Sequence, residues 1–138
     1  MEIIKLWEFC DINKWTTITR NMVTPWNIPV IAWWKSPSCF HNKSNRDWLT
    51  VTISSSGANA WFVNFFSIPI FASDCITIKS KDESIILTKY IFLYLKSIQE
   101  RIFWFQKWAG QPHVYWYDLI NLELPLYSSI KQQKIINK

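Results

Sequence analysis

The sequence predicts a single mixed α+β domain, and three observations carry that expectation. Short β-branched runs fill the first half of the chain, two of them alternating apolar and polar residues with period two. The period changes near Thr88 to the three-and-four spacing of a helix face. A length of 138 residues, 49% hydrophobic and 18% charged, suits one domain around one core.

Taken in order, Ile28-Pro29-Val30-Ile31-Ala32 is a short β-branched strand bounded by Pro25 and a polar run. Leu49-Thr50-Val51-Thr52-Ile53 and Cys75-Ile76-Thr77-Ile78-Lys79 each alternate, so each is expected to turn one face to the core. Phe62-Val63-Asn64-Phe65-Phe66 and Ile68-Pro69-Ile70-Phe71 fall between them as strands or strand and turn. Ser54 to Ala60 is the small-residue loop that joins two of these strands. Ile91, Leu95, Ile98, Ile102 and Phe105 then mark one face of a helix over about 88–106, with Thr88 as its N-cap and Lys96 and Glu100 at i, i+4 on its outer part. A polar turn follows at Gln111-Pro112-His113, then a short strand-like Val114-Tyr115 and the segment Asp118 to Leu126. The tail from Ser129 to Lys138 reads as the opening turns of another helix.

Composition narrows the function. A net charge of +5 favours a polyanionic partner such as nucleic acid or an acidic membrane surface. Cys10, Cys39 and Cys75 are odd in number and far apart, which fits free thiols in a reducing, cytoplasmic compartment. His41 and His113 form no ligand pair at metal-site spacing, and neither a metal nor a cofactor is expected. No signal peptide is visible, and the longest apolar stretch, Ala60 to Ala72, is too short to span a bilayer, so a soluble chain without a membrane partner is expected.

No arrangement of residues points to catalysis. The chain lacks a nucleophile elbow, a P-loop, a zinc-protease helix and a dinucleotide fingerprint, and its ten carboxylates form no acid–base pair at helical spacing. More informative is the polar stretch from Lys35 to Arg46, which places Lys35, Lys43 and Arg46 among Ser36, Ser38, Asn42, Ser44 and Asn45. Cations there can neutralise phosphates, serine and asparagine can bond phosphate oxygens, and Arg or Asn can read base edges bidentately. A solvated surface loop is the competing reading of the same residues.

Several strings carry a resemblance when read together. Lys107-Trp108-Ala109-Gly110-Gln111-Pro112-His113-Val114-Tyr115, then Asp118-Leu119-Ile120-Asn121-Leu122 and Leu124-Pro125-Leu126, resemble the target-recognition domain of type I restriction-modification specificity subunits. Lys131-Gln132-Gln133-Lys134-Ile135-Ile136 looks like the start of that family's spacer helix, and Leu6-Trp7-Glu8 with Lys14-Trp15 is similar to its opening pattern. Ile53 to Trp61 resembles its "Ser-x-Gly-Ala-x-x-Gly" loop.

The resemblance implies a twisted, mostly antiparallel sheet core in residues 1–127, with a truncated coiled-coil spacer helix over 128–138. It also implies sequence-specific binding of double-stranded DNA without catalysis. The implied partners are a modification methyltransferase subunit, which binds S-adenosylmethionine and methylates adenine, and a restriction subunit. A homodimer or second recognition domain would supply the other half-site. The implied DNA-facing residues are Lys35, Ser36, Ser38, Asn42, Lys43, Asn45, Arg46, Ser55, Asn59, Lys107, Gln111 and His113. A tryptophan-rich binding module for carbohydrate or protein stays open as the alternative.

One departure from the family stands out. Ten tryptophans accompany two glycines, and Trp7, Trp15, Trp33, Trp34, Trp61 and Trp108 fall where the family has glycine. If those places need positive φ, each indole adds strain of about 1–3 kcal/mol. The sequence therefore predicts a strained scaffold, as in a degenerate copy.

Overall fold

The computed structural model describes residues 2–31, 39–55, 60–103 and 119–138. Within them a four-stranded antiparallel sheet lies between a helix on one face and a smaller sheet on the other. The four-stranded sheet runs β2 (Cys10–Asn13), β8 (Cys75–Ser80), β5 (Thr50–Ser54), β6 (Val63–Phe66). The smaller, three-stranded sheet runs β4 (Cys39–His41), β3 (Ile28–Ile31), β7 (Phe71–Ala72). Its β3–β7 pair is parallel, and the other strand pairs among the described residues are antiparallel.

Period-two alternation explains the layering. Val51, Ile53, Val63, Ile76 and Ile78 point to one face, where registers such as Val51↔Ile78 and Ile53↔Ile76 set them side by side. They are buried against Tyr90, Ile91 and Leu95 of α2 (Thr88–Ser97). The opposite face carries Thr50, Thr52, Ser54, Cys75 and Thr77, and it too is buried. Here Ile31 and Ala72 of the smaller sheet, with Ile70 just before β7, pack on Cys75, and Phe66 lies beside them. The expected core-facing side is there, and the structure adds a cover on the other: short side chains let a second sheet approach closely, with the hydroxyls of Thr50 and Thr77 bonded to Asp47 C=O and to Arg46 and Asn13.

Two features of the helix also differ from expectation. Thr88 is the first helical residue rather than the N-cap, which is Leu87 without a side-chain cap. The N–H of Thr88 donates to Glu83 Oε1 at 3.0 Å, so Glu83 supplies the missing acceptor for the first turn. The single helix expected over about 88–106 is interrupted at Ile98 and resumes over 99–103. Beyond the break, the buried Gln99 side chain accepts from Val63 N–H at 2.8 Å and donates to Trp61 C=O at 2.9 Å, bonding the segment to the sheet as a peptide would.

The two ends of the chain meet. β1 (Glu2–Lys5) pairs antiparallel with β9 (Glu123–Leu126), and Ile4 and Leu124 from this ribbon enter the main core. A single helical turn, α1 (Leu6–Phe9), follows β1; Glu8 Oε1 accepts from Lys5 N–H at 2.8 Å and closes its start. The last element is α3 (Ser129–Ile136), N-capped by Ser128, whose hydroxyl accepts from Lys131 N–H. The expected strand at Val114-Tyr115 lies outside the described residues.

Glycine's conformational role can be checked at three of the six tryptophans. Trp61 sits at φ 72°, in the left-handed region; Trp7, within α1, and Trp15 do not have positive φ. The indole of Trp61 is 2% exposed, within the main core. Strain of about 1–3 kcal/mol at a left-handed position is smaller than the roughly 3–5 kcal/mol that a buried indole is worth against truncation. The strained scaffold reduces, at these three positions, to one turn whose side chain offsets its cost. Trp33, Trp34 and Trp108 lie outside the described residues.

Candidate nucleic-acid interface

After β4 the chain crosses from one edge of the small sheet to the far side of β7, where Arg46 forms an antiparallel bridge with Ile70. Residues 42–44 make the crossing and are exposed. Asn45 ends it with a two-point clamp: its Oδ1 accepts from Ala72 N–H at 2.6 Å and its Nδ2 donates to Ala72 C=O at 3.0 Å. An asparagine does this well because its amide reproduces the donor and acceptor of a neighbouring strand.

Arg46 fastens the same loop to the larger sheet. Its Nε donates to Thr77 Oγ1, one terminal nitrogen to Asn45 C=O and the other to Lys14 C=O, each at 2.8 Å. Burial is the main influence on the guanidinium and lowers its pKa, with Cys75 acting in the opposite direction. The planar fork reaches three acceptors on three segments, which a lysine could not.

These bonds gather cations that are distant in sequence. Lys14 C=O is held by Arg46, and Lys79 Nζ donates to Asp47 C=O at 3.2 Å. Lys14 Nζ lies 5.2 Å from the centroid of the Trp15 ring. Lys14, Lys43, Arg46 and Lys79 therefore come from one neighbourhood, where register also brings Asp11 beside Lys79. Sequence reasoning found Lys43 and Arg46 and missed Lys14 and Lys79, because only the fold joins them. Trp48, next to Asp47 in this loop, is 60% exposed. Phe40 on β4 and Trp26, two residues before β3, are exposed as well.

Of the residues expected to face DNA, Asn42 and Lys43 are exposed on the crossing segment. Asn45 and Arg46 stand beside them, with their polar groups engaged by the chain itself. Ser55 is buried, 1% exposed, and its hydroxyl donates to Asp74 Oδ1 at 2.6 Å. Lys35, Ser36, Ser38, Asn59, Lys107, Gln111 and His113 lie outside the described residues. Among the described residues no group of His, Cys, Asp and Glu is arranged to hold a metal, and no helix is long and apolar enough to cross a membrane.

The family model for the type I restriction modification DNA specificity domain matches residues 1–138. The chain belongs to this family. Specificity domains of this kind are non-catalytic components of type I restriction-modification systems.

Solved specificity subunits share the fold. The S subunit of the M. genitalium type I restriction-modification system superposes with a TM-score of 0.90 at 17% identity, covering 99% of this chain and 37% of that one. The HsdS subunit from Thermoanaerobacter tengcongensis gives a TM-score of 0.73 at 15% identity, covering 99% and 35%. A chain from a structure of the type I R-M system, described in terms of complex assembly and conformational transition, gives 0.77 at 16% identity, covering 99% and 36%. This specificity domain thus spans just over a third of the length of the solved chains it matches. No curated protein sequence matches it.

Proposed function

We propose that this specificity domain binds double-stranded DNA and reads one half of a bipartite target, directing a modification methyltransferase subunit and a restriction subunit to it. The observation that carries this reading is the exposed segment Asn42-Lys43-Ser44, clamped at Asn45 and Arg46 with Lys14 and Lys79 alongside. A rigidly held basic loop can neutralise phosphates and present an amide to base edges without first being ordered.

In this reading Asn42 and Lys43, both exposed, contact the DNA. Asn45, Arg46 and Ser55 become supports, since their bonding groups are engaged within the chain. Lys35, Ser36, Ser38, Asn59, Lys107, Gln111 and His113 complete the proposed contact set. Residues 128–138 open the spacer that leads to a second recognition domain or a second copy, because one half-site alone is bound weakly.

Fluorescence anisotropy with a pool of random duplexes tests the reading, at low and moderate salt and with and without the methyltransferase subunit. Affinity should fall linearly with salt on logarithmic axes, as released counterions lose their contribution. Absence of duplex binding in both arms overturns the reading.

A further inference from the structure

Helix α3 has eight residues, too few to be stable alone, and little apolar surface to hold it down. Ile130 is 70% exposed, and Ile135 and Ile136 are only partly buried against the main core. Its one fully buried side chain is polar: Gln132, at 0% exposure. Gln132 Nε2 donates to Ile85 C=O at 2.9 Å and to Tyr127 C=O at 2.8 Å, while its Oε1 accepts from Leu87 N–H at 2.9 Å.

Each partner is itself fixed. Leu87 is the N-cap residue of α2, whose amide has no acceptor within its own helix. Ile85 N–H donates to Asp82 C=O at 3.0 Å, and Glu83 in the same loop holds the first amide of α2. Gln132 therefore joins α3, the chain leading into α3, and the start of α2 through a single planar amide. Turning α3 about its axis by one residue would carry that amide out of its slot and leave three backbone groups, on Ile85, Leu87 and Tyr127, without it.

We propose that Gln132 is a positioning residue that sets the direction in which α3 leaves the recognition domain. The consequence for DNA rests on the function proposed above: a helix that departs at a fixed angle holds a second recognition element at a fixed separation, and one that swings does not. The angle itself is a property of this chain alone.

Spin labels at Lys89→Cys and Lys134→Cys, in a Cys39→Ser background, report the α2–α3 distance in the whole chain by pulsed electron resonance. Both label sites are exposed, and Cys10 and Cys75 are buried. The native glutamine should give one narrow distance. Gln132→Met retains length and apolar volume but loses the bonds, and should widen the distribution about twofold, with unfolding still cooperative and affinity for a half-site duplex kept within about twofold. An unchanged distribution in Gln132→Met overturns the proposal.

Should that variant not fold, amide hydrogen exchange on the native chain decides. The Leu87 amide should be as protected as that of Ile91 inside α2, and exchange at the rate of an exposed amide overturns the proposal. Neither measurement contains the full DNA target. Failure to bind any duplex would sink the proposed function and leave Gln132 standing, whereas firm duplex binding by a native chain whose α3 distance is already broad would do the reverse.

Discussion

The two faces of the four-stranded sheet are both buried, yet they are held by different forces. On the α2 side Val51, Ile53, Val63, Ile76 and Ile78 interlock with Ile91 and Leu95, so stability there comes from apolar burial and packing. On the other side the apolar cluster is small, and the second sheet is fastened by directional bonds: Arg46 to Thr77 and Lys14 and Cys75 to Ile31 C=O, with Asn45 tying the Arg46 loop to Ala72 of that sheet. Packing depends on volume throughout, whereas a hydrogen-bond clamp depends on a few atoms. A loop fixed at Asn45 and Arg46 can change its exposed residues without disturbing what holds it, as the proposed role in target reading requires.

The largest test of this contrast is cavity creation on each face. Ile53→Ala should cost about 3–5 kcal/mol, since Ile53 is fully buried in the larger cluster, whereas Ile70→Ala in the smaller one should cost about 2. Urea unfolding at neutral pH measures both. Equal costs would mean that the second face is packed as heavily as the first and that the clamps add little.

Removing the clamp comes next. Arg46→Ala takes donors from Thr77 Oγ1, Asn45 C=O and Lys14 C=O at the same time and should cost about 2 kcal/mol. Arg46→Lys should recover less than half, because a single ammonium cannot satisfy three separated acceptors. A lysine variant as stable as the native chain would show that charge, and not the fork, is what matters.

How much of this was legible in the sequence follows the same division. The helix-facing side was readable because alternation in Val51-Thr52-Ile53 and Cys75-Ile76-Thr77-Ile78 states directly which residues share a face. The covering of Thr52 and Thr77 was not, since threonine carries the same pattern whether water or a second sheet meets it. The break at Ile98 was hidden because Ile98 and Ile102 keep the helical spacing across it. For the proposed site, nearness in sequence marks Asn42, Lys43, Asn45 and Arg46 alike, because all four have the polar chemistry of DNA-reading residues. Only the fold shows that Asn45 and Arg46 are bonded to Ala72, Thr77 and Lys14 while Asn42 and Lys43 are exposed. Trp61 shows the converse, a glycine-like backbone correctly indicated by the family pattern and occupied by a side chain the core retains.

Alkaline pH tests whether both faces exclude water equally. Burial pushes the thiols of Cys10, in the larger cluster, and Cys75, in the smaller, up to about 12. Their folded values lie above the ordinary 9.0, so the stability they contribute is complete below pH 9 and is lost as pH rises from there through about 12, while unfolded thiols ionise first. Urea midpoints should be level between about pH 6 and 8 and fall above 9. Cys10→Ala and Cys75→Ala should each make that fall shallower; if only Cys10→Ala does, the second face admits water.

The smallest effect on stability belongs to Lys43, and that is its diagnostic value. Its side chain is exposed on the crossing segment, so Lys43→Ala should shift unfolding by no more than about 0.5 kcal/mol. If Lys43 meets a phosphate, the same substitution should weaken duplex binding for all sequences alike and lower the slope of log affinity against log salt by about 1. Asn42→Ala separates contact from reading: weakening that depends on duplex sequence marks an amide at a base edge, and uniform weakening marks one at a phosphate. A Lys43→Ala chain that binds DNA with an unchanged slope would leave the loop clamped but not facing the duplex. The second sheet would then have to present some other surface, with Lys14 and Lys79 the next cations to replace.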